Sequence, residues 1–150
     1  MKKIISLFLL IPCLCLCSCR GKYDKTVGIV SDFISEYGIS CTLYSSLADE
    51  GEDGYIPPEL CKQLFTNTDV LPHDYSLVLH SRLDSVFELG VFLSDDASDR
   101  LAICDECAGR VKLLESLSEG EGRVLIKNNL VIYIFSKDIE NALAILERVL

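Results

Sequence analysis

The sequence lacks the groups from which most hydrolytic and metal-dependent sites are built. Only two histidines occur, His73 and His80, and no serine stands in a Gly-x-Ser-x-Gly segment, so a serine hydrolase is not indicated. Basic residues are also scarce, with 14 Lys and Arg against 23 Asp and Glu and a formal net charge of -9. A surface this acidic repels phosphate backbones. The acidic charge leads us to expect no nucleic-acid partner. The lack of catalytic and ligand motifs leads us to expect no cofactor and no enzymatic activity.

No apolar run is long enough to cross a membrane, which takes about 20 residues. The N-terminal run from Ile4 to Leu16 is shorter and follows Lys2 and Lys3. It ends in Leu16-Cys17-Ser18-Cys19, which resembles the lipobox of bacterial lipoproteins, with leucine at minus three and a small residue at minus one. The resemblance implies that a diacylglyceryl group is attached to the thiol of Cys19.

The lipobox implies a boundary between a cleaved leader and a mature domain. Residues 1–18 are expected to be a lipoprotein signal peptide, and residues 19–150 a single extracytoplasmic domain anchored to the bacterial cell membrane. Two acyl chains, such as palmitate, hold a protein at a bilayer where one does not. Loss of two leader lysines and no acid changes the net charge from -9 to -11. The easier partners of such a domain are proteins or peptides.

Helical periodicity appears in four segments of the mature chain. The longest starts after Ser94-Asp95-Asp96, which offers N-cap oxygens, and ends near Ser118. Its expected buried stripe consists of Ala97, Leu101, Cys104, Ala108, Val111 and Leu114. The other three predicted helices cover Tyr23–Tyr37, which stops at Gly38, Pro58 to about Phe65, and Asp138–Leu150.

A period of two predicts two hairpins. The first joins strands at Leu83-Asp84, and its second strand is expected to be half-buried, with Glu88 and Gly90 on the face opposite its apolar residues. The second hairpin turns at Asn128-Asn129, a pair that tolerates the positive φ of a type I′ turn. The four strands cover Tyr75–Arg82, Ser85–Leu93, Arg123–Lys127 and Leu130–Ser136. Since the last strand is apolar on both faces, it should be interior.

The fold class that follows is α+β. We expect an antiparallel sheet of about four strands with a ββαββα core, helices packed against it, and a preceding N-terminal helix.

Three segments carry a resemblance to a known family. They are Glu88–Leu93, the amphipathic helix ending in Arg110–Leu114, and Gly122–Lys127 with Val131–Ile134. From about Val27 to the C-terminus the chain is similar to a family of small lipoproteins of low-GC Gram-positive bacteria whose domain has no assigned function. The resemblance implies an anchored extracytoplasmic α+β domain and transfers no catalytic residue.

The sharpest chemical motif is Cys104-Asp105-Glu106-Cys107. Cysteines at this spacing can form a redox pair or half of a zinc site. A redox pair needs a helix N-terminus to lower its thiol pKa, whereas this pair falls about two turns inside a predicted helix and beside acids. Structural cysteines are therefore the favoured interpretation, with redox or metal chemistry at Cys104 and Cys107 as the alternative.

Two other cysteines, Cys41 and Cys61, flank the acidic run Asp49–Gly54. An oxidising compartment permits a disulfide between them, but a reducing host would leave both thiols free. The acidic run fits a solvated loop better than a calcium loop, because Gly51 stands where a ligand is needed. No set of metal ligands is predicted.

The sequence favours a non-enzymatic envelope lipoprotein that binds a protein, peptide or small ligand or serves as an accessory subunit. The alternative is a thiol-dependent redox or metal-handling lipoprotein that uses Cys104 and Cys107.

Overall fold

The protein was analysed as a computed structural model, which describes residues 25–82 and 85–150. The helices within these residues are α1 (Lys25–Tyr37), α2 (Pro58–Leu64), α3 (Ala97–Leu117) and α4 (Ile139–Val149), with a short 3₁₀ helix at Thr68–Val70. The strands are β1 (Thr42–Ser45), β2 (Asp74–Arg82), β3 (Ser85–Leu93), β4 (Glu121–Lys127) and β5 (Leu130–Ser136).

The strands form one antiparallel sheet in the order β1-β2-β3-β5-β4. Helices α1 and α4 cover one face, and α2 and α3 cover the other. The predicted α+β class, with an antiparallel sheet, packed helices and an N-terminal helix, is confirmed. The sheet has five strands instead of about four. The additional strand, β1, is too short to show a period of its own and is held by its pairing with β2.

Local signals explain where the helices begin and end. The Asp96 carboxylate accepts from the backbone N–H groups of Ser98 and Asp99, which makes it the N-cap of α3. Asp138 caps α4 in the same way. Gly38 follows α1 at φ +71°, a left-handed conformation that favours glycine.

Each face of the sheet has its own apolar core. The first-face core lies between the sheet and α1 and α4, and contains Val30, Phe33, Leu89, Ile132 and Leu146. The second-face core lies under α2 and α3 and contains Phe65, Phe92, Ile103, Cys107 and Tyr133. Since β5 is buried along its whole length and lies between β3 and β4, its predicted interior position is confirmed.

Strand β3 is not half-buried as its sequence suggests. All residues from Phe87 to Phe92 are buried, including Glu88, which the alternation placed toward solvent. The cause is that this face is covered, because the Arg110 side chain of α3 pairs with Glu88 and the Tyr133 ring lies over Gly90. A period of two marks which residues share a face but does not say whether that face is covered.

Helix α3 buries a different stripe from the expected one. Its buried residues are Ile103, Cys107, Val111 and Leu114, whereas Leu101 is 63% exposed. The expected stripe and the buried stripe share Val111 and Leu114. Only the buried stripe faces the sheet along the whole helix. The expected stripe through Ala97, Leu101, Cys104 and Ala108 lies on the flank of the helix.

The second hairpin turns at Asn128-Asn129 as predicted, but not as a type I′ turn. Among the described non-glycine residues only Asn128 has positive φ, at 56°, whereas type I′ requires it at both central residues. The other predicted turn, Leu83-Asp84, lies outside the described residues. So do the predicted signal peptide, the lipidation residue Cys19, and Tyr23 at the expected start of α1. No helix of the described residues has the length and apolar character to cross a membrane.

Candidate functional site

An open cleft separates α2 and the segment after it from α3. Its volume is about 620 Å³. One wall is formed by residues 62–66 and Thr68, and the other by Asp105, Glu106, Gly109, Arg110 and Leu113. Both walls mix apolar with polar and charged side chains, as ligand sites do.

Arg110, on the α3 wall of the cleft, is held by the buried carboxylate of Glu88 on β3. Its Nε donates to Glu88 Oε2 at 3.0 Å, and a terminal nitrogen donates to Oε1 at 2.5 Å. The side chains are 13% and 8% exposed, respectively. Such a bidentate pair fixes the guanidinium plane. It uses two of the five N–H donors of arginine, so further donors are left for other acceptors.

Tyr133 completes a buried polar cluster with Glu88 and Arg110. Its hydroxyl donates to Glu88 Oε2 at 3.3 Å, and its side chain is fully buried. Burial, together with the negative charge of Glu88, raises the pKa of Tyr133, so its hydroxyl keeps its proton. Burial by itself would lower the pKa of Arg110, but hydrogen bonding and charge attraction from Glu88 raise it overall. The guanidinium therefore stays charged.

A glycine allows Tyr133 to lie close to the sheet. Gly90 is the register partner of Tyr133 on the neighbouring strand. A Cβ at Gly90 would lie 2.2 Å from Cε1 of the Tyr133 ring, inside van der Waals contact. The ring therefore occupies the space above Gly90, and its hydroxyl reaches Glu88 two residues along β3.

A hydrogen bond joins the two walls of the cleft. The backbone N–H of Thr66 donates to Glu106 Oε2 on α3 at 2.7 Å. Beneath this contact the Phe65 ring packs edge-on against Phe92 and Tyr133, with ring centroids 5.7 and 6.3 Å away. Aromatic packing and a charged hydrogen bond thus fix the position of α2 relative to α3.

Cys104 and Cys107 lie inside α3, about two turns from its start at Ala97. Cys107 is fully buried and Cys104 is half-buried. Burial, with smaller effects from Cys104 and Glu106, raises the pKa of Cys107, and burial with Asp105 raises that of Cys104. Both thiols are therefore poor nucleophiles, since the thiolate is the reactive form.

The possible Cys41–Cys61 disulfide is not formed in the structure, where both thiols are free. Cys41 packs against the first-face core and Cys61 belongs to the second-face core, so the sheet separates them. The Cys61 thiol instead lies 3.1 Å from the Tyr75 hydroxyl. The acidic loop from Asp49 to Asp53 is exposed. Among the described residues no group of three or more His, Cys, Asp or Glu could hold a metal ion.

The cluster of Glu88, Arg110 and Tyr133 was not predicted from the sequence. The one local signal was a glutamate between two apolar residues of a strand, which is equally typical of a solvent-facing position. His73 is exposed and His80 half-buried, and neither belongs to the cluster.

No protein-family model matches the chain, and no curated protein or solved structure is significantly similar to it.

Proposed function

We propose that this chain is a membrane-anchored extracytoplasmic lipoprotein that acts as a non-enzymatic binding module, with the cleft between α2 and α3 as its binding site. The observation that carries the binding proposal is the arginine on the cleft wall, fixed by a buried carboxylate. The sequence around Cys19 supports the anchor.

The cleft favours a ligand with both apolar and oxygen-bearing groups. Leu64, Phe65 and Leu113 offer apolar contact, while Lys62 and Arg110 supply donors on opposite walls. Asp105 and Glu106 add carboxylates to the lining, so the cleft carries both charge signs and is not a simple anion site. Peptides and small polar metabolites have this combination of groups, and they agree with the protein or peptide partner expected for an acidic domain.

Redox chemistry at Cys104 and Cys107 receives no support from their surroundings. The pair is far from the N-terminus of α3, and burial opposes thiolate formation at both positions. The two cysteines fit the role of small apolar residues in and beside the second-face core.

The binding proposal can be tested by filling the cleft. Gly109 lies on the α3 wall, and a Cβ there would meet no atom within 4 Å, so Gly109→Phe should fold and narrow the cleft. Gly28→Phe on α1 is the matched control, because Gly28 is also helical with open space around its Cβ. Pools of short peptides and a small-metabolite mixture would be screened by ligand-observed NMR. Binding that is lost in Gly109→Phe alone supports the proposal; ligands that bind all three proteins equally contradict it.

The anchor has a separate test. Cells fed an alkyne analogue of palmitate should label the full-length chain, and Cys19→Ser should abolish the label. Cys17→Ser is the control, since Cys17 is preceded by leucine instead of a small residue and lies in the expected leader, so its replacement should leave labelling unchanged. Equal labelling of wild type and Cys19→Ser would exclude Cys19 as the lipidated residue.

A further inference from the structure

Large exposed apolar residues are concentrated on two elements that contact each other. The large exposed hydrophobic residues of the described chain all lie on α3 or β4: Leu101, Leu113, Leu117 and Ile126. Of these, Leu101 is 63% and Ile126 50% exposed. We define the edge surface as Ala97, Leu101, Cys104 and Ala108 on the flank of α3 with Val124 and Ile126 on β4.

Contacts between α3 and β4 place this flank beside the free edge of the sheet. Val111 lies directly over Gly122, where an added Cβ would come within 2.3 Å of its side chain. Glu115 Oε1 accepts from the Gly122 backbone N–H at 3.0 Å. The flank through Ala108 and Leu101 continues this same side of the helix toward its N-terminus.

The N-terminal part of α3 lies at the end of β4 that carries Ile126. The Ser94 backbone N–H donates to the Asn129 carbonyl at 2.9 Å, and the Asn129 amide donates to Asp95 at 2.9 Å. These bonds fix the start of α3 beside the turn that follows Lys127. Leu101 and Ile126 therefore lie toward the same end of the α3–β4 side of the domain.

The two edges of the sheet differ. At β1 the Ser45 N–H donates to the Gly54 carbonyl at 2.8 Å, and Ser45 bridges to Tyr55, so a loop covers that edge. Strand β4 pairs only with β5 within the described residues. A two-residue loop closes on a hydrogen-bonded pair, here Lys127 and Leu130. Every second residue of β4 from Lys127 therefore bonds to β5, and the backbone groups of the residues between them, Gly122, Val124 and Ile126, point away from β5.

The sequence of β4 is complementary to itself. When two copies of β4 pair antiparallel about Val124, the residues whose backbone groups point outward form the hydrogen-bonded pairs. At each end of this pairing, Glu121 of one copy lies opposite Lys127 of the other. Both are non-hydrogen-bonded pairs, in which the side chains are closest. A register shifted to centre on Leu125 would instead place Arg123 opposite Lys127, two like charges. Charge therefore selects the register centred on Val124.

The same pairing brings two α3 helices to packing distance. Since α3 contacts both β4 and β5, it lies over the space between them, about 2.4 Å from β4 at a strand spacing of about 4.8 Å. The two-fold axis of the dimer lies half a strand spacing beyond β4, which puts each helix axis about 4.8 Å from it. The two helix axes would therefore be about 10 Å apart, the usual distance between packed helices. Ala97, Cys104 and Ala108 are small enough for that approach.

From these observations we propose that the edge surface binds a second copy of this chain, with β4 pairing to β4 and α3 packing on α3 to form a two-fold symmetric dimer with a continuous sheet. The Gly122 N–H and C=O now bond to Glu115 and Arg123 side chains. In the dimer they exchange these partners for the backbone of Ile126 in the second copy.

The symmetry of the dimer is compatible with the proposed anchor. Antiparallel strands of one sheet are related by an axis perpendicular to it, so both α1 helices lie on one face and both clefts on the other. The two chains could therefore enter the same membrane with their clefts facing away from it. The dimer itself does not depend on lipidation or on ligand binding.

A charge exchange tests the register. Sedimentation velocity of the full-length chain in density-matched detergent should show a concentration-dependent dimer. Glu121→Lys or Lys127→Glu alone places like charges at both ends of the pairing and should weaken dimerisation about tenfold. The double variant E121K/K127E restores opposite charges and should return the dissociation constant to within about twofold of wild type. A monomeric wild type, or single variants that dimerise as well as wild type, would overturn the proposal.

Leucine substitutions test the surface. Leu101→Glu introduces two charges at the helix contact and should weaken dimerisation by about 50-fold or more. Leu117→Glu is the matched control, because Leu117 is 72% exposed on α3 but outside the edge surface. Circular dichroism confirms that each variant folds. Equal weakening by both glutamates, or by neither, would contradict the assignment.

Discussion

The two faces of the sheet are built from different chemistry. On the first face, under α1 and α4, the Phe33, Tyr37 and Phe87 rings stack with centroids 5.0 to 5.7 Å apart. The buried polar contact there joins the hydroxyls of Thr26 and Ser76 at 2.8 Å, and the Thr26 hydroxyl also donates to the Asp74 carboxylate, but the described residues bury no ion pair on this face. The second face carries a buried ion pair and an open cleft.

This difference indicates a division of roles. A layer without a buried ion pair contributes to stability mainly through apolar burial. A buried ion pair contributes less to stability than well-packed apolar residues of the same size, because both charges must be desolvated. Its value on the second face lies in fixing Arg110 at the wall of the cleft.

Breaking the ion pair should give the largest effect. Glu88→Ala leaves the Arg110 charge buried without its partner and should cost about 3–5 kcal/mol of unfolding free energy, measured by urea denaturation. The double variant E88L/R110M removes both charges and should recover most of that loss. Leu89→Ala, next in β3 but on the first face, should cost about 2–5 kcal/mol through its cavity.

The double variant E88L/R110M shows whether the second face loses stability through an unpaired charge or through packing. If E88L/R110M is no more stable than Glu88→Ala, the loss comes from packing, and the second face would stabilise the fold in the same way as the first.

A smaller effect should distinguish the tight part of the second face from its open cleft. Gly90→Ala forces a Cβ against the Tyr133 ring and should cost about 1–3 kcal/mol as overpacking. Gly109→Ala meets no atom within 4 Å and should stabilise α3 by up to about 1 kcal/mol, the helix preference of alanine over glycine. Thermal unfolding of both variants checks the signs. A destabilised Gly109→Ala would mean that the cleft is narrower than described.

Sequence patterns predicted most of the fold because its signals are local. Asp96 and Asp138 begin helices, and Asn128 turns a hairpin, through bonds and φ values set within a few residues. Strands β2 and β3 were predicted because the alternation of their apolar residues is also a local signal.

What could not be predicted depends on contacts distant in sequence. Glu88 is buried by a helix that follows it, and its partner Arg110 is 22 residues away. Strand β1 depends on its pairing with β2 and on the bridge from Ser45 to Tyr55. In α3 two apolar stripes fit the helical period equally well, and the side that faces the sheet is decided by β4 and β5. The cleft and its arginine therefore emerged from the structure alone.

Alkaline pH should affect the second face through its buried acids. Burial raises the pKa of Cys107 above its ordinary value of 9.0 and that of Tyr133 above 10.0. A group whose pKa is raised by folding stabilises the protein fully below the unfolded pKa, and that stability is lost as pH rises toward the folded pKa. Unfolding free energy should therefore be constant near pH 8 and fall above about pH 9.

Cys107→Ala should reduce the slope of this decline by about 1 kcal/mol per pH unit above pH 9, measured by urea denaturation from pH 8 to 11. Ile145→Val, in the first-face core, should lower stability by about 1 kcal/mol at every pH and leave the slope unchanged. Because Cys107 and Tyr133 both lie on the second face, the first variant removes a buried ionisable group, whereas the second alters the first-face core without removing one. An unchanged slope in Cys107→Ala would mean that its thiol ionises without unfolding, which would restore the redox alternative for the Cys104–Cys107 pair.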